Sequence, residues 1–121
     1  MTEDQTYNLR MAQPSVVRPA EFADWRTDKM GKRTIFESSR LLIGTNAFEP
    51  GQSHTLHAHA GMDKMYLVVE GEGLFLLEGR ELPMKMGDML VAPEGVPHGV
   101  RNNGASRLLV LAVLAPAPSH A

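Results

Sequence analysis

The sequence predicts an all-β barrel, and three observations predict it. From Thr34 onward, short apolar runs are interrupted by glycine or proline about every 8 to 12 residues, the spacing of strands in a sandwich or barrel. The interruptions carry turn chemistry. Glu49-Pro50-Gly51, Glu70-Gly71-Glu72-Gly73, Glu78-Gly79-Arg80, Gly87-Asp88, Pro93-Glu94-Gly95 and Asn102-Asn103-Gly104 supply the preset φ of proline and the positive φ open to glycine and asparagine. No stretch has the periodicity of a long helix. The strands expected are Thr34 to Glu37, Leu41 to Phe48, Ser53 to His57, Lys64 to Glu70, Gly73 to Leu77, Glu81 to Met86, Met89 to Ala92, His98 to Arg101 and Arg107 to Leu114. Eight or nine strands suffice to close a barrel.

The rest of the chain is organised around that unit. Residues 1–33 read as a partly irregular arm, with a short amphipathic stretch from Pro19 to Arg26 around Phe22 and Trp25 that suits one or two helical turns. Residues 34–115 form the barrel and 116–121, with Pro116 and Pro118, a loose tail. A chain of 121 residues is one domain, large enough to fold on a single core. There is no cysteine, which excludes disulfides, thiolate metal sites and cysteine nucleophiles and suits a reducing compartment. Fourteen acidic residues stand against twelve basic ones that form no stripe, which argues against a nucleic-acid partner. The start of the chain does not read as a signal peptide, and no segment reaches the ~20 apolar residues of a membrane helix. The expected location is the cytoplasm.

Chemistry concentrates in the histidines. His57 and His59 are separated by one residue, so on a strand both imidazoles leave the same face. A third imidazole from another strand completes a set of three ligands, and His98, entered through Pro93, Gly95 and Pro97, is the candidate. A lone His-x-His pair is more often two ordinary exposed residues, but the flanks here are ordered. Gly51 precedes the pair, and Gly87, Pro93, Gly95, His98 and Asn102 follow. This stretch resembles the paired motifs of the cupin superfamily. Gly51, His57, His59 and Gly71 fit the first motif, and Gly87, Pro93, Gly95, His98 and Asn102 the second.

The resemblance covers roughly residues 34–114 and implies a double-stranded β-helix, a jelly-roll barrel of RmlC-like type. It also implies that His57, His59 and His98 ligate one divalent metal, that the four motif glycines are turn residues, that Asn102 is structural, and that the protein is a homodimer.

The sequence leaves the family at one position. Lys64 stands where the first motif places a glutamate ligand, and Asp63 precedes it. The family register points Lys64, Tyr66 and Val68 inward. Simple alternation finds the cleaner apolar set at Met65, Leu67 and Val69, which would turn Asp63 inward as a fourth ligand. An ammonium about 5 Å from a divalent ion costs on the order of 6 kcal/mol at an effective dielectric of ~20, so an inward Lys64 has to give up its proton, swing away or exclude the metal. A neutral amine there is a candidate general base, and Tyr66 a candidate for orienting a ligand. Met62, Met65, Met84, Met86 and Met89 read as core filler and lining and not as copper or electron-transfer ligands, His54 as a surface or interface residue on the opposite strand face, and His120 as part of the tail. Arg101 reads as a solvated strand residue or a substrate anchor.

Two functional classes follow. Three imidazoles leave coordination positions open, as a metal-dependent oxygenase, isomerase or lyase acting on a small molecule requires. The lysine in place of the glutamate suits instead a non-catalytic module that binds or senses a small ligand. Imidazole accepts iron, manganese, nickel and zinc, so the sequence does not select the metal.

Overall fold

A computed structural model describes residues 13–118. Nine strands build two antiparallel sheets. They are β1 (Gly31–Glu37), β2 (Leu42–Phe48), β3 (Ser53–His57), β4 (Asp63–Glu70), β5 (Glu72–Leu77), β6 (Arg80–Lys85), β7 (Met89–Ala92), β8 (His98–Arg101) and β9 (Leu108–Ala115). The larger sheet runs β1-β2-β9-β4-β7 and the smaller β3-β8-β5-β6. The chain passes back and forth between the sheets through Greek-key connections, which closes a jelly roll around one core.

The facing surfaces supply that core. Phe48, Tyr66, Val68, Phe75, Val100 and Leu108 are buried between the sheets, and each such side chain contributes roughly 1.5–3 kcal/mol by leaving water. On β4 the buried residues are Lys64, Tyr66 and Val68. Met65, Leu67 and Val69 lie on the outer face, half-buried, so β4 is apolar on both sides and its inner face is not the one alternation singles out.

The largest departure from the expected boundaries is at β1, while β2, β4, β5, β6 and β9 shift by one residue. β1 begins at Gly31, because Lys32 and Arg33 pair with Asn46 and Thr45 of β2 although nothing in their composition signals a strand. The amphipathic stretch forms a single 3-10 turn, Pro19–Phe22. Phe22 is buried, the Thr45 hydroxyl donates to its carbonyl at 2.8 Å, and the Arg33 guanidinium lies over its ring at 5.3 Å.

Asn102 locks the end of the barrel nearest the β2–β3 turn. Its side-chain nitrogen donates to the carbonyls of Phe48 and Ser106 at 3.0 and 2.8 Å, and its backbone bonds to Gly51 and Gln52. One buried residue thus joins β2, the β2–β3 turn and the approach to β9, the structural role expected of it.

Candidate metal centre

β3 and β8 bring the histidines together. His57 and His98 are Cα partners in the antiparallel pair, with ring centroids 4.4 Å apart. His59 lies just beyond the end of β3, where the Gly95 amide donates to its carbonyl at 2.9 Å. Gly95 has φ +76, a left-handed conformation that favours glycine, so the β7–β8 turn that delivers His98 also pins the loop that carries His59. A ring nitrogen from each of the three residues lies within 4.8 Å of the others.

Hydrogen bonds to the backbone leave Nε2 of His57 and of His98 for a ligand. His57 Nδ1 lies 2.8 Å from the Thr55 carbonyl, and His98 Nδ1 2.8 Å from the Val96 carbonyl. A carbonyl only accepts, so Nδ1 carries the proton and Nε2 holds a lone pair. Nε2 of His57, His59 and His98 is buried and without a hydrogen-bond partner among the described residues. Three unpartnered imidazole nitrogens converging on one point suit a divalent cation. The residues therefore fit the metal that the motif implies.

A fourth histidine belongs to this neighbourhood. His54 stacks on His57, centroids 4.0 Å apart and planes at 26°. Strict alternation puts it on the other face, but β3 is bulged: His54 pairs with Val100 and His57 with His98, so three steps along β3 span two along β8. Thr55 and Leu56 are both exposed, and His54 turns inward. Gly99 makes room, since a Cβ there would stand 2.5 Å from the His54 carbonyl oxygen and 3.1 Å from the Thr55 carbonyl carbon. The placement of His54 on the surface is thus corrected. The signal available in the sequence was Gly99 opposite a strand expected to be regular.

Asp63, the possible fourth ligand, is not grouped with the three histidines. It is exposed, and its carboxylate accepts from the Glu94 amide at 2.9 Å on the face of β4 away from the histidines. Lys64 takes the inward position, 5% exposed, with Nζ 4.6 Å from the centre of the Tyr66 ring and without an ion pair among the described residues. Burial, and then repulsion from Lys32, lower its pKa to about 8. Tyr66 is fully buried between Phe75 and His98, with ring centroids at 5.9 and 5.8 Å. Its hydroxyl has no partner, and burial raises its pKa.

Burial also lowers the histidines, His54 to about 3 and His57 to about 4, with Lys64 adding to the effect in both. His59 and His98 are lowered too, burial again being the main cause. All four rings are therefore neutral at pH 7, the form that ligates. Arg101 pairs with Glu81 at 2.8 Å, away from this group. His120 lies outside the described residues.

A cavity of about 380 Å³ opens beside the centre, lined by His54, His57, His59 and Lys64 on one side and by β1, β2 and β9 on the other. A model of the cupin domain matches residues 45–114. The chain belongs to the cupin family. This cupin is 38% identical over 85 residues to an oxalate-binding protein of Thermotoga maritima, covering 70% of this chain and 69% of that one. It is 30% identical over 85 residues to a gentisate 1,2-dioxygenase of Ralstonia, covering 69% of this chain and 24% of that one. The crystal structure of TT1209 from Thermus thermophilus superposes with a TM-score of 0.80 at 39% identity, over 85% of this cupin and 98% of that chain. The two-sheet jelly roll is the double-stranded β-helix of the family.

Proposed function

We propose that this cupin is a metal-dependent enzyme of oxygenase, isomerase or lyase type, holding one divalent ion on His57, His59 and His98 and acting on a small molecule in the adjoining cavity. The observation that carries the proposal is the set of three buried, unpartnered Nε2 atoms, two of them fixed as lone pairs by Nδ1 bonds to backbone carbonyls. An ion of iron, manganese, nickel or zinc on three imidazoles keeps positions open for substrate, water or dioxygen and polarises what binds there. The chain's own contribution is Lys64. An amine with a pKa of about 8 exchanges its proton near neutral pH, and Lys64 lines the cavity beside the histidines, where a reacting molecule would lie. Tyr66 acts as the support beneath it, its ring in contact with the ammonium and with His98.

A second reading has its own support. A lysine at the ligand position of the first motif suits a module that binds a small ligand without turning it over, and the Thermotoga relative is described as oxalate-binding. The readings separate in a turnover screen, including oxygen uptake, on protein with metal and after chelation. Metal-dependent turnover lost in Lys64→Met and in His98→Ala supports the enzyme. Saturable ligand binding with no turnover supports the module.

The absence of cysteine supports a cytoplasmic location, and among the described residues no helix is long and apolar enough to cross a membrane. Assembly as a homodimer is part of the proposal.

A further inference from the structure

The cavity has a second polar group on the larger sheet, whose Lys32 also shares a neighbouring pocket with His54. Lys32 of β1 and Asn46 of β2 are Cα partners, so their side chains leave the same face of the larger sheet side by side, and both line the cavity. Asn46 is 5% exposed, and its Nδ2 is buried with no hydrogen-bond partner among the described residues. A buried amide donor left unpaired costs about 1–3 kcal/mol, so it marks a place where a ligand acceptor belongs. Among the described residues no aspartate or glutamate lines the cavity, whose charged side chains are Lys32, Arg33 and Lys64. Beside these groups the floor is apolar. Gly44 pairs with Ala112 and Leu42 with Leu114, and the β1 backbone closes over Gly44, where a Cβ would stand 2.8 Å from the Arg33 carbonyl oxygen, so Leu42, Ala112 and Leu114 supply the apolar surface that lines the cavity.

We infer that Lys32 and Asn46 anchor the carboxylate of a small organic acid, whose apolar body lies against Leu42, Ala112 and Leu114 and whose other end reaches Lys64 and the histidines. The inference rests on the proposed function for the identity of the reacting end and deepens it by giving the class of ligand. An ammonium and an amide N–H offer two donors to the two oxygens of a carboxylate, and a neutral amide or alcohol in its place loses the charge-assisted bond. Leu42 and Leu114 wall the body, which disfavours acids charged at both ends.

Calorimetric titration of the full, metal-loaded chain with benzoate and with benzamide tests the anchor. Benzoate is expected to bind at least tenfold more tightly. Lys32→Glu and Asn46→Asp should each remove that preference and leave metal content unchanged. Lys32 is exposed, so the first variant does not depend on repacking a buried site. Benzoate bound equally by wild type and Lys32→Glu overturns the anchor, because the preference would then come from carboxylate on metal. A wild-type protein that takes neither ligand, or both equally, also overturns it. Failure of the metal proposal has a separate signature: no metal in the purified protein, with the benzoate preference and its loss in Lys32→Glu intact.

Discussion

His57 and His98 each commit Nδ1 to the carbonyl two residues earlier, so their tautomers are set by local backbone before any metal arrives. Preset tautomers and ring directions are what outer partners supply in metal sites. His54 extends this control by stacking on His57. His54→Ala is expected to weaken metal affinity by up to about tenfold, and His54→Phe, which keeps a flat ring, to restore most of it. Metal titration against a competing chelator reads both, and equal loss in the two variants would show that His54 acts other than by stacking. The motif residues were legible in the sequence because they recur at fixed separations on strands and turns. His54 was not, because a bulge shifts a residue between faces without changing composition.

At the scale of the element, the site depends on β3 departing from a regular ladder and on the inward face of β4. Gly99→Ala is expected to cost about 1–3 kcal/mol, since the added methyl meets the His54 and Thr55 backbone, which cannot move aside like a side-chain tip. The same variant should lower metal occupancy, because flattening the bulge turns His54 outward and displaces His57. Denaturant unfolding and metal content measure the two effects. An unchanged midpoint with full metal would mean that the bulge is dispensable. On β4 the direction of Lys64 and Asp63 could not be read from apolar alternation, because Met65, Leu67 and Val69 are apolar for the outer face of the sheet. The family register placed them as the structure does. Lys64→Glu is therefore expected to tighten metal binding by giving the centre a carboxylate, whereas Asp63→Ala, on the far face, should leave it nearly unchanged. The reverse pattern in metal titrations would contradict the orientation of β4.

Across the whole molecule, the strands and turns from Gly51 to Asn102 were legible because their punctuation is local. The N-terminal half of β1 was not, because Lys32 and Arg33 become strand only by pairing with β2. The outer surface near β7 tells against one expectation. Met84 is core, but Met86 and Met89 are exposed, as is Val91. Beside them lie Leu67 and Met65 on β4, half-buried, and β7 is an edge strand. This apolar face and open edge support the homodimer proposal. Val91→Lys should then shift the mass seen by light scattering from two chains to one, and a wild-type monomer at tens of micromolar would contradict it.

Acid should act on the fold through the same histidines. In the unfolded chain they titrate near pH 6.5, while His54 and His57 are held to about 3 and 4 in the folded one. Below about pH 6.5 the unfolded state binds more protons, so the stability of metal-free protein should fall as pH drops from about 6.5 toward 4. Thermal melts across that range should show a shallower fall for His54→Phe. A melting temperature that rises with acid would contradict the assignment.

Metal content per chain of protein purified without a histidine tag, for wild type and for His57→Ala, His59→Ala and His98→Ala, tests the three-histidine centre itself. We expect close to one divalent ion per chain in wild type and at least a tenfold loss of occupancy in each variant. A wild-type chain without metal, or three variants that keep it, would contradict a centre built on these histidines.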